Sequence, residues 1–169
     1  MSKITAISGR VLYNSRGSKT IEVDILTDEK FLGRVCAPSG ASVGKFEAVS
    51  FPNNSPEESL SILNQNSNKF IGIDSSDLKQ VHDVIHSIDG TDNYAKIGGA
   101  CAFAITIAAT ESAARAENKQ FFQMINNKSD LKFPFPLGNI LGGGAHAGPG
   151  TPDIQEILVA SIGAKTVRE

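Results

Sequence analysis

Cysteine is scarce in this chain. Cys36 and Cys101 are the only two, with no Cys-x-x-Cys pair and no further partners. That excludes a disulfide framework and a cysteine-built zinc site, and two buried, reduced thiols in a cytoplasmic protein are the expectation. Long apolar runs are missing too. No segment approaches the ~18 apolar residues a membrane span requires, and the opening Met1-Ser2-Lys3-Ile4-Thr5 lacks the apolar core of a secretory leader. Neither sign of charge is in excess: 16 Lys and Arg stand against 18 Asp and Glu, a net charge of −2. Such a balance leaves no electrostatic footprint for nucleic acid or an anionic membrane, and neither is expected as a partner. Internal repeats and low-complexity tracts are absent. What is present, 40% hydrophobic and 20% charged residues over 169 positions, describes an ordinary soluble protein. It is long enough for one domain with a sizeable core and part of another.

The first 37 residues have the pattern of β-structure. Ile21, Val23 and Ile25 alternate with Glu22 and Asp24, the period-two signature of a half-buried strand. Asp28-Glu29-Lys30 suits a turn, and Phe31, Gly33 and Val35 continue the alternation in a returning strand. With residues 4–12 ahead of them, these segments predict a three-stranded meander. Helices follow. Ser55-Pro56-Glu57-Glu58 offers a capping serine, a proline at the first helical position and a glutamate three residues on. Leu78, Val81, Ile85 and Ile88 fall on one helical face. Residues 100–110 contain only Ala, Cys, Phe, Ile and Thr, which predicts a buried central helix. Phe133-Pro134-Phe135-Pro136 then excludes helix and forces extended backbone. Beyond it, residues 137–141 and 154–162 predict strands, the second apolar enough to be buried on both faces. The reading is an α+β domain over residues 1–132, attached to the start of another at 133–169.

Two Gly-rich stretches carry the candidate chemistry. Residues 38–47 read PSGASVGKFE. A phosphate-binding P-loop fails here, because the span between Gly40 and Gly44 is one residue short and Phe46 replaces the Ser or Thr that would meet magnesium. A mobile lid fits better, since small residues let backbone approach a ligand and swing on glycine hinges; a plain surface turn is the alternative. Residues 142–156 read GGGAHAGPGTPDIQE, with His146 flanked by small residues and free to meet a ligand. His82 and His86, four apart on an amphipathic helix, form a possible metal pair without a third ligand in the sequence nearby, and solvent-facing helix positions is the plainer reading.

Both stretches resemble enolase. Ser39-Gly40-Ala41-Ser42 matches that family's loop position for position, with Gly44 and Glu47-Ala48 in register, and Gly142–Gly144, His146 and Gln155-Glu156 resemble the entry to its barrel. The resemblance spans nearly the whole chain. Asn14-Ser15-Arg16-Gly17 is similar to the family's Asp-Ser-Arg-Gly, and Asp89-Gly90-Thr91-Asp92-Asn93 to its Asp-Gly-Thr-Glu-Asn. Departures include Ser18-Lys19 for Asn-Pro, Ala100 for an asparagine, and a His146-to-Gln155 spacing one residue longer than usual.

The resemblance implies a fold: a three-stranded antiparallel meander followed by a helical bundle, then the first strands of an incomplete barrel of the (β/α)8 kind. It also implies a lyase that dehydrates 2-phosphoglycerate to phosphoenolpyruvate with magnesium, in a homodimer or larger assembly. Ser42 would supply oxygens to the metal, and Gly40 and Ala41 would belong to the substrate lid. His146 would close on the substrate phosphate, and Glu156, beside Gln155, would serve the leaving hydroxyl from a buried strand end. The family's lysine base and first magnesium ligands lie on later strands, so this portion alone is expected to be inactive. Two alternatives remain at this point: a non-catalytic α+β binding or dimerisation module, and another magnesium-dependent member of the wider superfamily.

Overall fold

The computed structural model describes residues 2–40, 43–126, 128, 130, 132–144, 147–166 and 168. The chain divides into two compact units, Met1–Asn127 and Lys128–Glu169.

The first unit opens with the predicted meander. Strands β1 (Ile4–Tyr13), β2 (Lys19–Thr27) and β3 (Phe31–Cys36) pair antiparallel in the order β1-β2-β3. Alternation along β2 sets its two faces. Ile21, Val23 and Ile25 are fully buried in the core. Glu22 and Asp24 point the other way, beneath Arg10 of β1 and Arg34 of β3. Arg34 grips Asp24 with two bonds of 2.7 and 2.8 Å. That grip, joined by Arg10, holds the Asp24 carboxyl below its ordinary pKa against the opposing effect of burial. Exposed pairs of this kind contribute ~1 kcal/mol or less each; their larger effect is to fix register. Between β2 and β3, Asp28 and Glu29 both adopt left-handed backbone, φ 51° and 56°, as a tight hairpin of this hand demands. Neither is glycine. Bonds between Lys3 and Asp28 in both directions, and from the Glu29 amide to the Thr5 hydroxyl at 3.1 Å, hold the turn instead.

Four helices follow: α1 (Pro56–Asn66), α2 (Leu78–Asp89), α3 (Gly99–Ala116) and the short α4 (Phe121–Ile125). The cap at Ser55 forms as its spacing predicts, its hydroxyl accepting from the Glu58 amide at 3.2 Å. Helix α2 is capped by Asp77, whose carboxylate accepts from the Gln80 amide at 3.1 Å. Helix α3 lies on the sheet, and Gly33 is where they touch most closely. A Cβ there would sit 1.9 Å from the Ala108 carbonyl oxygen, so only glycine admits the helix. The seam is tied by the Thr27 and Ser112 hydroxyls at 2.9 Å and by Arg115 donating to the Leu32 carbonyl at 2.6 Å. The predicted buried central helix is found, with one side left open. Its Ala-rich side is covered, but Phe103 is 43% exposed and Thr106 and Ile107 are half-buried. One sheet can cover only one side of a helix.

The second unit holds β4 (Leu137–Gly142) and β5 (Glu156–Ala160), paired antiparallel. Among the described residues no closed barrel is present. The two strands pair antiparallel, whereas a parallel return needs a crossover that usually includes a helix. Burial of the second strand on both faces is also corrected: Ile157, Leu158 and Val159 are 42%, 46% and 51% exposed. A two-stranded sheet cannot cover its own faces.

Candidate functional site

The first Gly-rich stretch leaves β3 at Ala37, whose amide donates to the Ile21 carbonyl at 2.9 Å. Past that anchor the chain is exposed at Pro38, Ser39 and Gly40. Among the described residues, the Asn14 side chain ties it back. Asn14 donates from its amide nitrogen to the Ser39 hydroxyl at 2.7 Å, while its carbonyl oxygen accepts from the Arg16 and Ser18 amides at 2.9 and 3.0 Å. Asn14 therefore builds the β1–β2 turn and moors the root of the loop. Ala41 and Ser42 lie outside the described residues. On the far side, Gly44 donates to the Glu47 carboxylate at 2.8 Å and the Glu47 amide returns to the Gly44 carbonyl at 3.2 Å. This closed turn leaves Val43 and Phe46 81% and 94% exposed. Two apolar side chains presented to solvent suit a loop that closes on something.

A cavity of about 420 Å³ lies beside the loop's two ends, with Pro38, Glu47 and Ala48 on one wall, Phe103 of α3 on another, and His82 and Tyr94 among its lining. The segment carrying Tyr94 is built on Asp89, which is 3% exposed. Its carboxylate accepts from the Thr91 amide at 2.9 Å, from the Thr91 hydroxyl, and from the Lys96 and Ile97 amides at 3.1 and 2.7 Å. Burial pushes this carboxyl's pKa up, but the hydrogen bonds, the Ile97 amide foremost, more than reverse it and hold it below the ordinary value.

In the second unit, the run of glycines has a steric cause. Gly143 donates to the Gln155 carbonyl and Gly144 to the Pro152 carbonyl, both at 2.8 Å. A Cβ on Gly143 would stand 2.3 Å from the Pro152 oxygen and 2.4 Å from the Ile154 oxygen. The turn so clasped sets Gln155 and Glu156 at the entry to β5, with Glu156 opposite Gly142. Both side chains are exposed; the buried strand end expected for Glu156 is not found, because the two-stranded sheet lays nothing over it. His146 and Ala145 lie outside the described residues.

Of the sequence-predicted site residues, the structure brings Gln155 and Glu156 together beside the glycine turn. Gly40 belongs to the other unit. Among the described residues no group of three or more His, Cys, Asp or Glu is arranged to hold a metal ion. The hydroxyl and carbonyl oxygens of the loop at 39–42 have the chemistry a hard cation takes, but they are too few to form its shell. The described donors therefore fit a partial contribution to a divalent-cation site and not a complete one. Cys36, expected to be buried, is exposed, its thiol donating to Glu22 at 3.0 Å; the final residue of an edge strand has no layer above it. Sequence reasoning missed Tyr94 and the mooring role of Asn14. The Asn14-Ser15-Arg16-Gly17 match was the available signal for the latter, while nothing in the letters marks Tyr94.

A sequence-family model described as "Enolase, N-terminal domain" matches residues 4–125. Among curated proteins, the chain is 40% identical over 169 residues to an enolase of Methanosphaera stadtmanae, covering 99% of this chain and 41% of that protein. It is 38% identical to an enolase of Methanothermobacter thermautotrophicus, over 99% of the chain and 40% of the relative. An enolase of Halorubrum lacusprofundi is 39% identical over 171 residues, 100% of the chain and 42% of the relative. The chain spans about two fifths of the length of the relatives it matches.

Proposed function

This chain belongs to the enolase N-terminal domain family, and from that premise we propose that it is the N-terminal portion of a phosphopyruvate hydratase. The carrying observation is that the likeness does not stop at residue 125, where the family match ends, but runs through both Gly-rich loops. Residues 1–132 would form the N-terminal-like domain and residues 133–169 the start of the barrel domain. The parent would act in the cytoplasm, in glycolysis, as a homodimer or larger assembly, with neither nucleic acid nor membrane as partner.

The parent removes the C2 proton of 2-phospho-D-glycerate and expels the C3 hydroxyl, leaving phosphoenolpyruvate and water. Magnesium, when bound, supplies the positive charge against which the carboxylate side of the substrate becomes acidic. From this chain, Ser42 offers its hydroxyl and carbonyl oxygens to that metal. Gly40 and Ala41 let the lid backbone approach the substrate, His146 meets the phosphate, and Glu156 with Gln155 attends the departing hydroxyl. A carboxyl group donates a proton near neutral pH only where burial or a neighbouring carboxylate raises its pKa. Glu156 is exposed in this chain, so its cover would come from the remainder of the parent, as would the lysine base and the first metal's carboxylates. The isolated chain is accordingly expected to give no turnover.

A chimera tests this reading: residues 1–169 replace the matching two fifths of the Methanosphaera stadtmanae enolase, and phosphoenolpyruvate formation is followed with magnesium. We expect activity, reduced by about 10²-fold or more in Glu156→Gln, the scale of a lost general acid. Ser42→Ala is expected to lose roughly 10–100-fold, most of it recovered at high magnesium. A folded chimera with no activity, or variants that match it, would leave the non-catalytic module as the reading.

A further inference from the structure

Helix α2 presents His82 and His86 on adjacent turns, and the structure supplies the third donor that the sequence lacked. The Nε2 atoms of both rings converge on one oxygen, the Tyr94 hydroxyl, at 3.0 Å from His82 and 3.5 Å from His86. The two imidazoles stand edge to face, 4.3 Å between centroids with planes at 82°, and the Tyr94 ring lies 5.5 Å from His86. As they stand these contacts are hydrogen bonds, and the same spacings suit donors that share one ion. Zinc–nitrogen bonds of ~2.0–2.1 Å in a tetrahedron put neighbouring donor atoms ~3.3 Å apart. The two observed separations bracket that edge.

The support is rigid and strained, as a prepared site requires. Tyr94 holds left-handed backbone, φ 58°, a conformation that bulky residues avoid unless their surroundings impose it. Five neighbouring backbone groups are clamped here. The Asn93 carbonyl accepts from Val49 at 2.9 Å and the Tyr94 carbonyl from Gly98 at 2.9 Å. The Ala95 amide donates to the Thr91 hydroxyl at 2.9 Å, and the next two amides are held by Asp89. The imidazoles are exposed, and His82 and Tyr94 face the 420 Å³ cavity, so solvent and a small ligand can reach the donor face.

The geometry points to a three-donor site for a borderline divalent transition ion of the zinc class, formed by His82 Nε2, His86 Nε2 and Tyr94 Oη, with the phenol releasing its proton to water on binding and the fourth position open to water. Two imidazoles select Zn2+, Cu2+ or Ni2+ over magnesium, which takes oxygen ligands. None of the three donors is among the residues assigned to the dehydration.

The test uses the untagged chain and Zn2+ alone, titrated by calorimetry with a competing chelator, while NMR follows the ring protons of each histidine. One equivalent of Zn2+ is expected to bind and to shift His82 and His86 together. His82→Ala and His86→Ala, checked for folding by circular dichroism, should each weaken binding by at least roughly 10-fold, and Tyr94→Phe by roughly 10-fold, the lower end of what loss of a supporting group costs a metal site. Affinity within twofold of the parent in either histidine variant would overturn the site. So would Zn2+ that moves only His146, or uptake abolished by Cys36→Ser. Full affinity in Tyr94→Phe would overturn the three-donor assignment.

Discussion

Gly33→Ala should be among the most damaging single-methyl additions to this chain, and its size can be worked from the seam between β3 and α3. The new Cβ would lie 1.9 Å from the Ala108 carbonyl oxygen, 2.7 Å from the Ser112 nitrogen and 2.9 Å from the Ala108 carbon. All three are backbone atoms of a helix and cannot swing aside. Reaching even the 3.4 Å of an ordinary contact requires α3 to retreat by 1.5 Å at this point. Forced repacking costs ~1–3 kcal/mol, and a retreat of that size parts the buried Thr27–Ser112 hydroxyl pair, ~1 kcal/mol more. Alanine restricts the unfolded chain and returns ~0.4–1 kcal/mol. The net expectation is a loss of about 1–4 kcal/mol, centred near 2. Gly9→Ala is the matched control. Its Cβ meets the tip of Leu60 at 2.5 Å, but a flexible side-chain end can rotate, so under about 1.5 kcal/mol is expected. Urea unfolding followed by helical circular dichroism reads the first unit, because the described helices all lie there. With a slope of ~1–3 kcal/mol/M, Gly33→Ala should lower the midpoint by about 1 M. A midpoint within roughly 0.2 M of the parent, or a larger fall in Gly9→Ala, would refute the claim that this glycine sets the helix-to-sheet distance.

Two further outcomes follow from the charged and thiol groups. The Asp89 carboxyl is held below its ordinary pKa in the fold, so it stabilises the protein above the unfolded carboxyl value and that contribution is lost as pH falls through the folded one. Asp89→Asn, which turns two acceptor oxygens into one and faces an amide donor with donors, should cost about 2–3 kcal/mol at pH 7. It should also flatten the fall in midpoint below about pH 4; an unchanged acid limb would contradict the account. Burial pushes the Cys101 thiol up to about 12, while Cys36 is exposed with its thiol raised by the hydrogen bond to Glu22. A thiol reagent at pH 8 should therefore label one cysteine in the native chain, slowly, and both in denaturant, with mass spectrometry locating the native adduct at Cys36; native labelling of Cys101 would contradict the packing.

Periodicity placed the meander and the buried face of α2, and capping chemistry placed the helix start at Ser55, because each is a local pattern whose physics is complete within a few residues. The likeness of the two Gly-rich loops to a known family was legible for the same reason: motif letters are local. Tertiary structure decided the rest. It showed that Gly33 and Gly143 are demanded by close backbone approach, and that Asp28 and Glu29 turn left-handed because Lys3 and Thr5 hold them. It exposed one side of α3 and both faces of β5, since burial depends on what lies across from a side chain and not on its own hydrophobicity. Above all, it carried Tyr94 to two histidines that sequence could only mark as a pair lacking a third donor. Their meeting is set by the buried Asp89 carboxylate, which bends the segment after α2 back on itself through amides that carry no side-chain signature.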